Sequence, residues 1–99
     1  MNNPIENLSK VFDSRIKLGI MSMLMVNASI GFNEAKELLD LTDGNLASHL
    51  KALEGNLFIK VQKKAMDKKT NAMYSITKAG EKAFKTHLLA LENMISSLK

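Results

Sequence analysis

The 99-residue sequence predicts a mainly α-helical fold with one small β-hairpin (α+β). Apolar residues recur at helical spacing over most of the chain. Apolar and polar residues alternate only in two short segments, 57–62 and 72–76, and a lysine-rich stretch joins them, as in a hairpin. The length suits one domain with a modest core, so we expect residues 1–99 to form a single domain.

The N-terminal part of the chain predicts two helices. An asparagine followed by a proline is typical of a helix start, and it predicts a short helix from about Pro4 to Val11. Asp13 or Ser14 can cap a second helix over 14–27. This second helix is apolar on most of its sides, so we expect it to lie centrally.

A short connection then leads to the first half of a helix-turn-helix pattern. A stub of strand is expected at 30–32, and Asn33 is expected to cap a helix over 34–40. The residues predicted to face inward from this helix are Ala35, Leu38 and Leu39.

The next helix, predicted over 42–55, has an apolar stripe and a small, polar outer face. Thr42 can cap it, and Asp43 suits the positive end of its dipole. The apolar stripe consists of Leu46, Leu50 and Leu53. The outer face presents Gly44, Ser48, Lys51 and Ala52, flanked by Asn45 and Ala47, and His49 lies nearer the stripe. This face is free of acidic residues at its centre, so it suits the major groove of DNA, although an ordinary solvated face would look similar.

The hairpin carries the whole net charge of the chain. Residues 60–71 contain five lysines and one aspartate, a net charge of +4, whereas bases and acids balance in the other 87 residues. The lysine-rich tip of the hairpin, residues 62–72, is called the wing, and its turn is expected at 67–71. A charge concentrated beside a polar helix indicates a phosphate-binding edge.

The last helix is predicted to begin after a Thr77 cap and to cover 78–98. Its heptad-like apolar seam extends beyond what a small domain can cover, so we expect the N-terminal helix and a second copy of the chain to cover it. The expected interface residues are Ile5, Leu8, Phe84, Leu88, Leu91, Ile95 and Leu98. His87 is expected to be partly buried beside this seam. Within the single domain we thus expect a winged helix-turn-helix core over 12–77 and dimerisation helices over 3–11 and 78–98.

The composition argues against several other classes of protein. The chain has no cysteine and two histidines, so thiolate sites are excluded and we expect no metal and no other cofactor. A catalytic constellation and a glycine-rich phosphate loop are both lacking, so we expect no enzymatic activity. The longest apolar run is too short to cross a membrane, which needs about 20 residues, and we see no signal peptide. We therefore expect a cytoplasmic protein. A small-molecule effector is possible, but nothing in the sequence requires one.

The order of these elements resembles that of the winged helix-turn-helix transcription regulators, and in particular the small MarR/ArsR-like group. The resemblance is carried by Leu41-Thr42-Asp43-Gly44-Asn45-Leu46, by His49-Leu50 and Leu53-Glu54, and by Tyr74-Ser75-Ile76-Thr77 with Ala79-Gly80. It implies a homodimeric, sequence-specific DNA-binding regulator with recognition positions at Gly44, Asn45, Ser48 and His49 and wing contacts on the lysine-rich turn. The family usually has glycine where Leu57 stands, so Gly55 or Asn56 is expected to make the left-handed turn after the helix. The wing also departs from the family pattern at Asp67, Thr70 and Ala72.

Two functions follow as hypotheses. In the first, a homodimer binds a palindromic double-stranded DNA site. The residues expected to contact DNA are Thr42, Gly44, Asn45, Ser48, His49 and Lys51 of the recognition helix, and Lys63, Lys64, Lys68 and Lys69 of the wing. In the alternative, the same winged-helix module binds a protein instead of DNA.

Overall fold

The computed structural model describes residues 8–12, 14–66 and 69–98, without the side chains of residues 64–66 and 69–71. Its elements in chain order are a 3-10 turn (Lys10–Phe12), α1 (Arg15–Val26), β1 (Ile30–Gly31), α2 (Phe32–Leu39), α3 (Asp43–Gly55), β2 (Ile59–Met66), β3 (Lys69–Ile76) and α4 (Lys78–Ser96). The predicted mainly α fold with one β-hairpin is confirmed, and so are the helix-turn-helix and its wing.

Three helices begin where the sequence predicts, each at a hydroxyl cap. Ser14 accepts hydrogen bonds from the amides of Ile16 and Lys17. Thr42 accepts from the amide of Asn45 at 3.2 Å, and Thr77 accepts from the amide of Gly80 at 2.9 Å. Since each cap satisfies amides that a helix start leaves free, these boundaries are set by local sequence alone.

The sheet is antiparallel, with strand order β1-β3-β2. Pairing in the hairpin runs from Ile59 opposite Ile76 to Met66 opposite Lys69, which leaves two residues for the connection. The strands are therefore longer than predicted, and residues 69–71 of the expected turn belong to β3. On the other side of β3, the β1 residue Ile30 pairs with Tyr74.

The predicted start of α2 is wrong. The helix begins at Phe32, and its N-cap is Gly31 rather than Asn33. Gly31 also pairs with Met73 of β3, so the chain passes straight from the sheet into the helix and leaves no room for a later cap. Leu38, which was expected to face inward, is 64% exposed.

An aromatic cluster around Phe12 closes the core. The ring centroid of Phe12 lies 5.5 Å from that of Phe58, 5.6 Å from that of Phe84 and 5.3 Å from that of His87. Phe84 and His87 are only 3% and 4% exposed. The assignment of Phe84 to a dimer interface, and of His87 to a half-buried place beside it, is therefore wrong because both pack inside their own chain.

The N-terminal segment differs from the predicted helix. Within 8–12, the helical part is a single 3-10 turn, Lys10–Phe12, so an α-helix does not continue to Val11. The backbone amide of Ser9 donates a hydrogen bond to Nδ1 of His87 at 3.1 Å, which ties this segment to α4. Of the two expected interface residues here, Leu8 is half-buried and Ile5 lies outside the described residues.

The turn between α3 and β2 contains a second correction. Leu57, with a φ of 63°, adopts the left-handed conformation that was expected at Gly55 or Asn56. Two backbone hydrogen bonds close this turn, from Leu57 to Glu54 and from Phe58 to Leu53. Leucine thus holds the left-handed conformation at this position without a glycine, and 72% of its side chain is exposed.

The start of α4 packs tightly against the same turn. Thr77 donates from its hydroxyl to the carbonyl of Leu57 at 2.7 Å and from its amide to the carbonyl of Phe58 at 3.1 Å. A Cβ added to the buried Gly80 would lie 2.0 Å from that Phe58 oxygen. Glycine is therefore required here for the helix to approach the turn.

The described residues contain neither a membrane-spanning helix nor a metal-ligating cluster. None of the helices there is long and apolar enough to cross a membrane. Nor does that part of the chain bring three or more metal-ligating side chains together.

Candidate functional site

The outer face of α3 is exposed except at Ala52, which is half-buried. Leu46, Leu50 and Leu53 are almost completely buried, as predicted, and they anchor the opposite side of the helix in the core. The predicted contact residues Thr42, Gly44, Asn45, Ser48 and Lys51 are all exposed. Five of the six predicted recognition residues are thus solvent-exposed, while their contacts with DNA stay a prediction.

Gly44 has a different environment from Gly80. A Cβ built at Gly44 meets nothing within 4 Å among the described residues. Glycine costs about 1 kcal/mol relative to alanine inside a helix. The described fold therefore gives no reason for glycine at this exposed position, which is where another molecule could approach the backbone closely.

His49, the sixth predicted residue, lies at the edge of this face and is half-buried. Its Nδ1 lies 3.0 Å from Nζ of Lys17, a residue of α1. Burial and, secondly, the charge of Lys17 lower the pKa of His49 below its ordinary value. The lowered pKa favours the neutral imidazole, which forms part of a polar contact between two helices.

The one acidic residue at the start of α3 is paired. An oxygen of the Asp43 carboxylate lies 2.8 Å from Nζ of Lys36 in α2. Both groups are solvent-accessible, so the pair contributes little to stability. Its effect is on the local field, because the lysine offsets a negative charge at the end of the helix where an anion would otherwise be favoured.

The wing carries its lysines on both strands. Lys60 and Lys63 of β2 are exposed. Lys64 pairs with Asn71 and Lys69 with Met66 in the backbone register, so both flank the connection. Lys68 lies outside the described residues. Of the predicted wing contacts, the structure thus shows an exposed side chain for Lys63 and fixes the backbone positions of Lys64 and Lys69.

An apolar surface remains on α4 after the core is formed. Leu88, Ile95 and Leu98 are 43%, 60% and 82% exposed, and Leu91 is half-buried. Leu88 and Ile95 are two helical turns apart and lie on one side of the helix. Three of these residues belong to α4, and Leu98 lies two residues beyond its end. Together the four, which we call the α4 apolar face, are what remains of the predicted dimer seam once Phe84 is assigned to the core.

The family assignment agrees with this geometry. The family model described as winged helix DNA-binding domain matches residues 16–95. The chain belongs to this family. It is also 32% identical to an uncharacterized protein of Methanocaldococcus jannaschii, over 91% of this chain and 98% of that one.

Solved structures support the same fold. The transcriptional regulator homologue protein of Pyrococcus horikoshii OT3 is 33% identical, with a TM-score of 0.79 over 91% of this chain and 94% of that chain. PadR of Bacillus subtilis, solved in complex with operator DNA, is 17% identical, with a TM-score of 0.68 over 76% of this chain and 48% of that one. MarR of Escherichia coli is among the other neighbours of the fold. The winged-helix regulator resemblance predicted from the sequence is confirmed.

The roles of two residues could not be predicted from the sequence. Lys17 lies in a mostly apolar helix, and its contact with His49 joins positions 32 residues apart, so no local pattern could reveal it. Gly80 was noted as part of the resemblance, but its role depends on the carbonyl of Phe58, which only the packed structure brings near it.

Proposed function

We propose that this winged-helix protein is a sequence-specific regulator that binds double-stranded DNA as a homodimer. The observation that carries the proposal is the outer face of α3, which is exposed and bears small and polar residues over a fully buried apolar stripe. A helix of this kind can enter a major groove without a steric barrier. The family membership and the net charge of +4 support the same function.

In this proposal the recognition helix reads bases. Asn45 is suited to adenine and Lys51 to guanine or to a phosphate, while Ser48 can adapt to either type of base. Gly44 allows the helix backbone to approach the DNA closely, since no Cβ stands in the way. The hydroxyl of Thr42 accepts a hydrogen bond from the amide of Asn45 and so stabilises the first turn of the helix, which would meet the groove.

The wing supplies the contacts that do not depend on sequence. Lys63, Lys64, Lys68 and Lys69 would lie along the phosphate backbone or the edge of the minor groove. Each lysine that neutralises a phosphate releases counterions, so affinity falls with salt. This division assigns specificity to α3 and much of the affinity to the wing.

A homodimer would place two recognition helices on one DNA molecule. The α4 apolar face, with Ile95 60% exposed, supports a second copy as its cover. Two copies related by a two-fold axis would reach successive major grooves, about 34 Å apart, and would favour a palindromic operator. A cytoplasmic location belongs to the same proposal, and a small-molecule effector is not required by it.

Fluorescence anisotropy tests DNA binding directly. The protein is titrated against a randomised duplex pool at about 50 and 200 mM salt, where several phosphate contacts should change affinity by orders of magnitude. The Lys68→Glu/Lys69→Glu variant should bind more weakly and with a shallower salt dependence. Lys78→Glu/Lys82→Glu on α4 changes the net charge equally and serves as the control. Failure of the folded wild-type protein to bind at low salt would favour the protein-binding alternative.

A second substitution tests the recognition helix. Ser48→Glu places a carboxylate on the exposed face of α3, so it should abolish specific binding while the thermal unfolding curve stays the same. Ser22→Glu introduces the same charge at an exposed position of α1. An operator is first selected from the randomised pool with the wild-type protein. If the Ser48 variant binds this operator as the wild type does, α3 is not the recognition helix.

A further inference from the structure

The contact between Lys17 and His49 fixes the state of the imidazole. A lysine ammonium has donors but no acceptor, so at a separation of 3.0 Å Nδ1 of His49 must be the accepting nitrogen. A neutral imidazole carries one proton, which then resides on Nε2. His49 is therefore held as a hydrogen-bond donor at Nε2, with its ring oriented by the lysine of another helix.

The same contact brings a cation to one flank of the recognition helix. His49 lies one turn beyond Asn45, and on the helical wheel both fall on the same side of the outer face. The ammonium of Lys17 keeps further N–H donors after it has satisfied Nδ1. This flank thus combines a positive charge, free ammonium donors and an imidazole N–H, a set that matches an acceptor with negative charge.

DNA offers such an acceptor on both sides of a recognition helix. Bases occupy the floor of the major groove, and phosphate oxygens line its walls. A residue at the edge of the recognition face meets the wall sooner than the floor. Among the described residues, the ion pairs join Lys36 to Asp43 and Lys85 to Glu81, so neither of them engages the ammonium of Lys17.

We propose that Lys17 and His49 act as one unit that binds a backbone phosphate beside the recognition helix, with Lys17 positioning the imidazole and supplying the charge. This inference rests on the proposed DNA-binding function and adds a contact from α1 to it. It also reassigns His49 from a base-reading residue to a phosphate-binding one. The contact is expected to serve every DNA sequence equally.

The first experiment needs no DNA. The ¹⁵N shifts of the imidazole nitrogens, measured in the free protein, distinguish the two neutral tautomers, and His49 should carry its proton on Nε2. His87, whose Nδ1 accepts from the amide of Ser9, is an internal reference with the same expected tautomer. In Lys17→Met the His49 tautomer should become mixed while that of His87 stays unchanged. A proton on Nδ1 of His49 in the wild type would overturn the inference.

The second experiment measures DNA binding against salt concentration. Lys17→Met should make the log–log slope shallower by about one, as for one lost phosphate contact. At low salt it should weaken binding about tenfold, as for one hydrogen bond to a charged group. Lys78→Met removes an exposed lysine of α4 and should leave the slope unchanged. Lys17→Arg keeps the charge and the donors, so it should restore the slope.

His49→Ala and the double variant decide whether the two residues act together. Each single change should weaken operator and random DNA by similar factors, and the double variant should be little weaker than either single one. A loss confined to the operator would assign His49 to base reading, and additive losses would show independent residues, so either result overturns the proposal. Thermal unfolding of each variant confirms that it is folded.

Failure of the inference differs from failure of the proposed function. If the wild type binds DNA but Lys17→Met keeps its slope and affinity, the phosphate contact is refuted and the regulator stands. If the wild type does not bind DNA, the regulator and the phosphate contact both fail, while the tautomer result still decides whether the Lys17–His49 pair exists.

Discussion

Replacing Gly80 by alanine tests the junction on which the wing depends. The added Cβ would lie 2.0 Å from the carbonyl oxygen of Phe58 and 2.8 Å from its carbonyl carbon. Real Cβ atoms do not approach backbone atoms so closely, and a backbone oxygen cannot rotate away as a flexible side chain can. Either the first turn of α4 or the turn at 57–58 must therefore move by about 1 Å.

The cost of that movement follows from the contacts that hold the two turns together. Thr77 donates two hydrogen bonds to this turn, at 2.7 and 3.1 Å, and each contributes about 1 kcal/mol. The ring of Phe58, which packs on Phe12, would shift with its backbone and lose about 0.5–1 kcal/mol of aromatic contact. Alanine returns about 1 kcal/mol through its higher helix propensity. We expect a net loss of about 2 kcal/mol.

Thermal and urea unfolding followed by circular dichroism measure this loss. For a domain of this size, about 2 kcal/mol corresponds to a fall in Tm of roughly 8–16 °C. Gly44→Ala is the matched control, because its Cβ meets nothing within 4 Å among the described residues and it should raise the stability by up to about 1 kcal/mol. A Gly80→Ala protein as stable as the wild type would refute the close approach of α4 to the turn.

Three further predictions concern binding, pH and assembly. Gly44→Ala should weaken operator binding, measured by anisotropy, even though it stabilises the fold. Unchanged binding would refute the proposed close approach of the helix backbone to DNA. Burial lowers the pKa of His87, and burial and Lys17 lower that of His49, so folding favours the neutral form of both imidazoles. The stability that depends on the neutral forms is complete above the unfolded-state pKa of about 6.5 and is lost as the pH falls below it. The urea midpoint should thus be lower at pH 5.5 than at 7.5, and equal midpoints in His49→Ala/His87→Gln would assign the effect to these residues. Ile95→Glu should convert the proposed dimer to a folded monomer in light scattering, whereas Thr86→Glu, at another exposed position of α4, should not.

Helix starts could be predicted from the sequence because their causes are local. The hydroxyls of Ser14, Thr42 and Thr77 each accept hydrogen bonds from amides two or three residues away. Both partners of each bond therefore lie within one short stretch of sequence. The buried stripe of α3 was predictable for a similar reason, since helical spacing alone places Leu46 and Leu50 on one side. The candidate recognition face followed from that stripe.

The errors occur where distant parts of the chain decide the conformation. Asn33 is a good cap by composition, but the pairing of Gly31 with Met73 of β3 starts the helix earlier. Leu57 adopts a left-handed conformation that costs a non-glycine residue about 1–2 kcal/mol, and its carbonyl is held by Thr77, 20 residues later. No local preference favours leucine there, so the sequence pointed to Gly55 and Asn56 instead.

The dimer seam was overestimated for the same physical reason. Heptad spacing groups Phe84 with Leu88 and Ile95, but spacing does not say which partner covers each residue. Phe12, from the 3-10 turn, packs edge-on against Phe84 and against His87, and so draws the start of the seam into the core. The remaining exposed residues form a smaller surface than the sequence implied, nearer the C-terminal end of α4.

Gly44 and Gly80 separate what the fold requires from what it does not. Both stand in the first turn of a helix, but only one of them is required by the packing of the described chain. At Gly80 a Cβ would collide with the chain itself, which explains the glycine through stability alone. At Gly44 the described chain leaves the space open, so the helix accepts a residue that weakens it with no return in packing. The proposed close approach of DNA to the helix backbone needs such an open space, and Gly44 lies on the same face as Ser48 and Lys51.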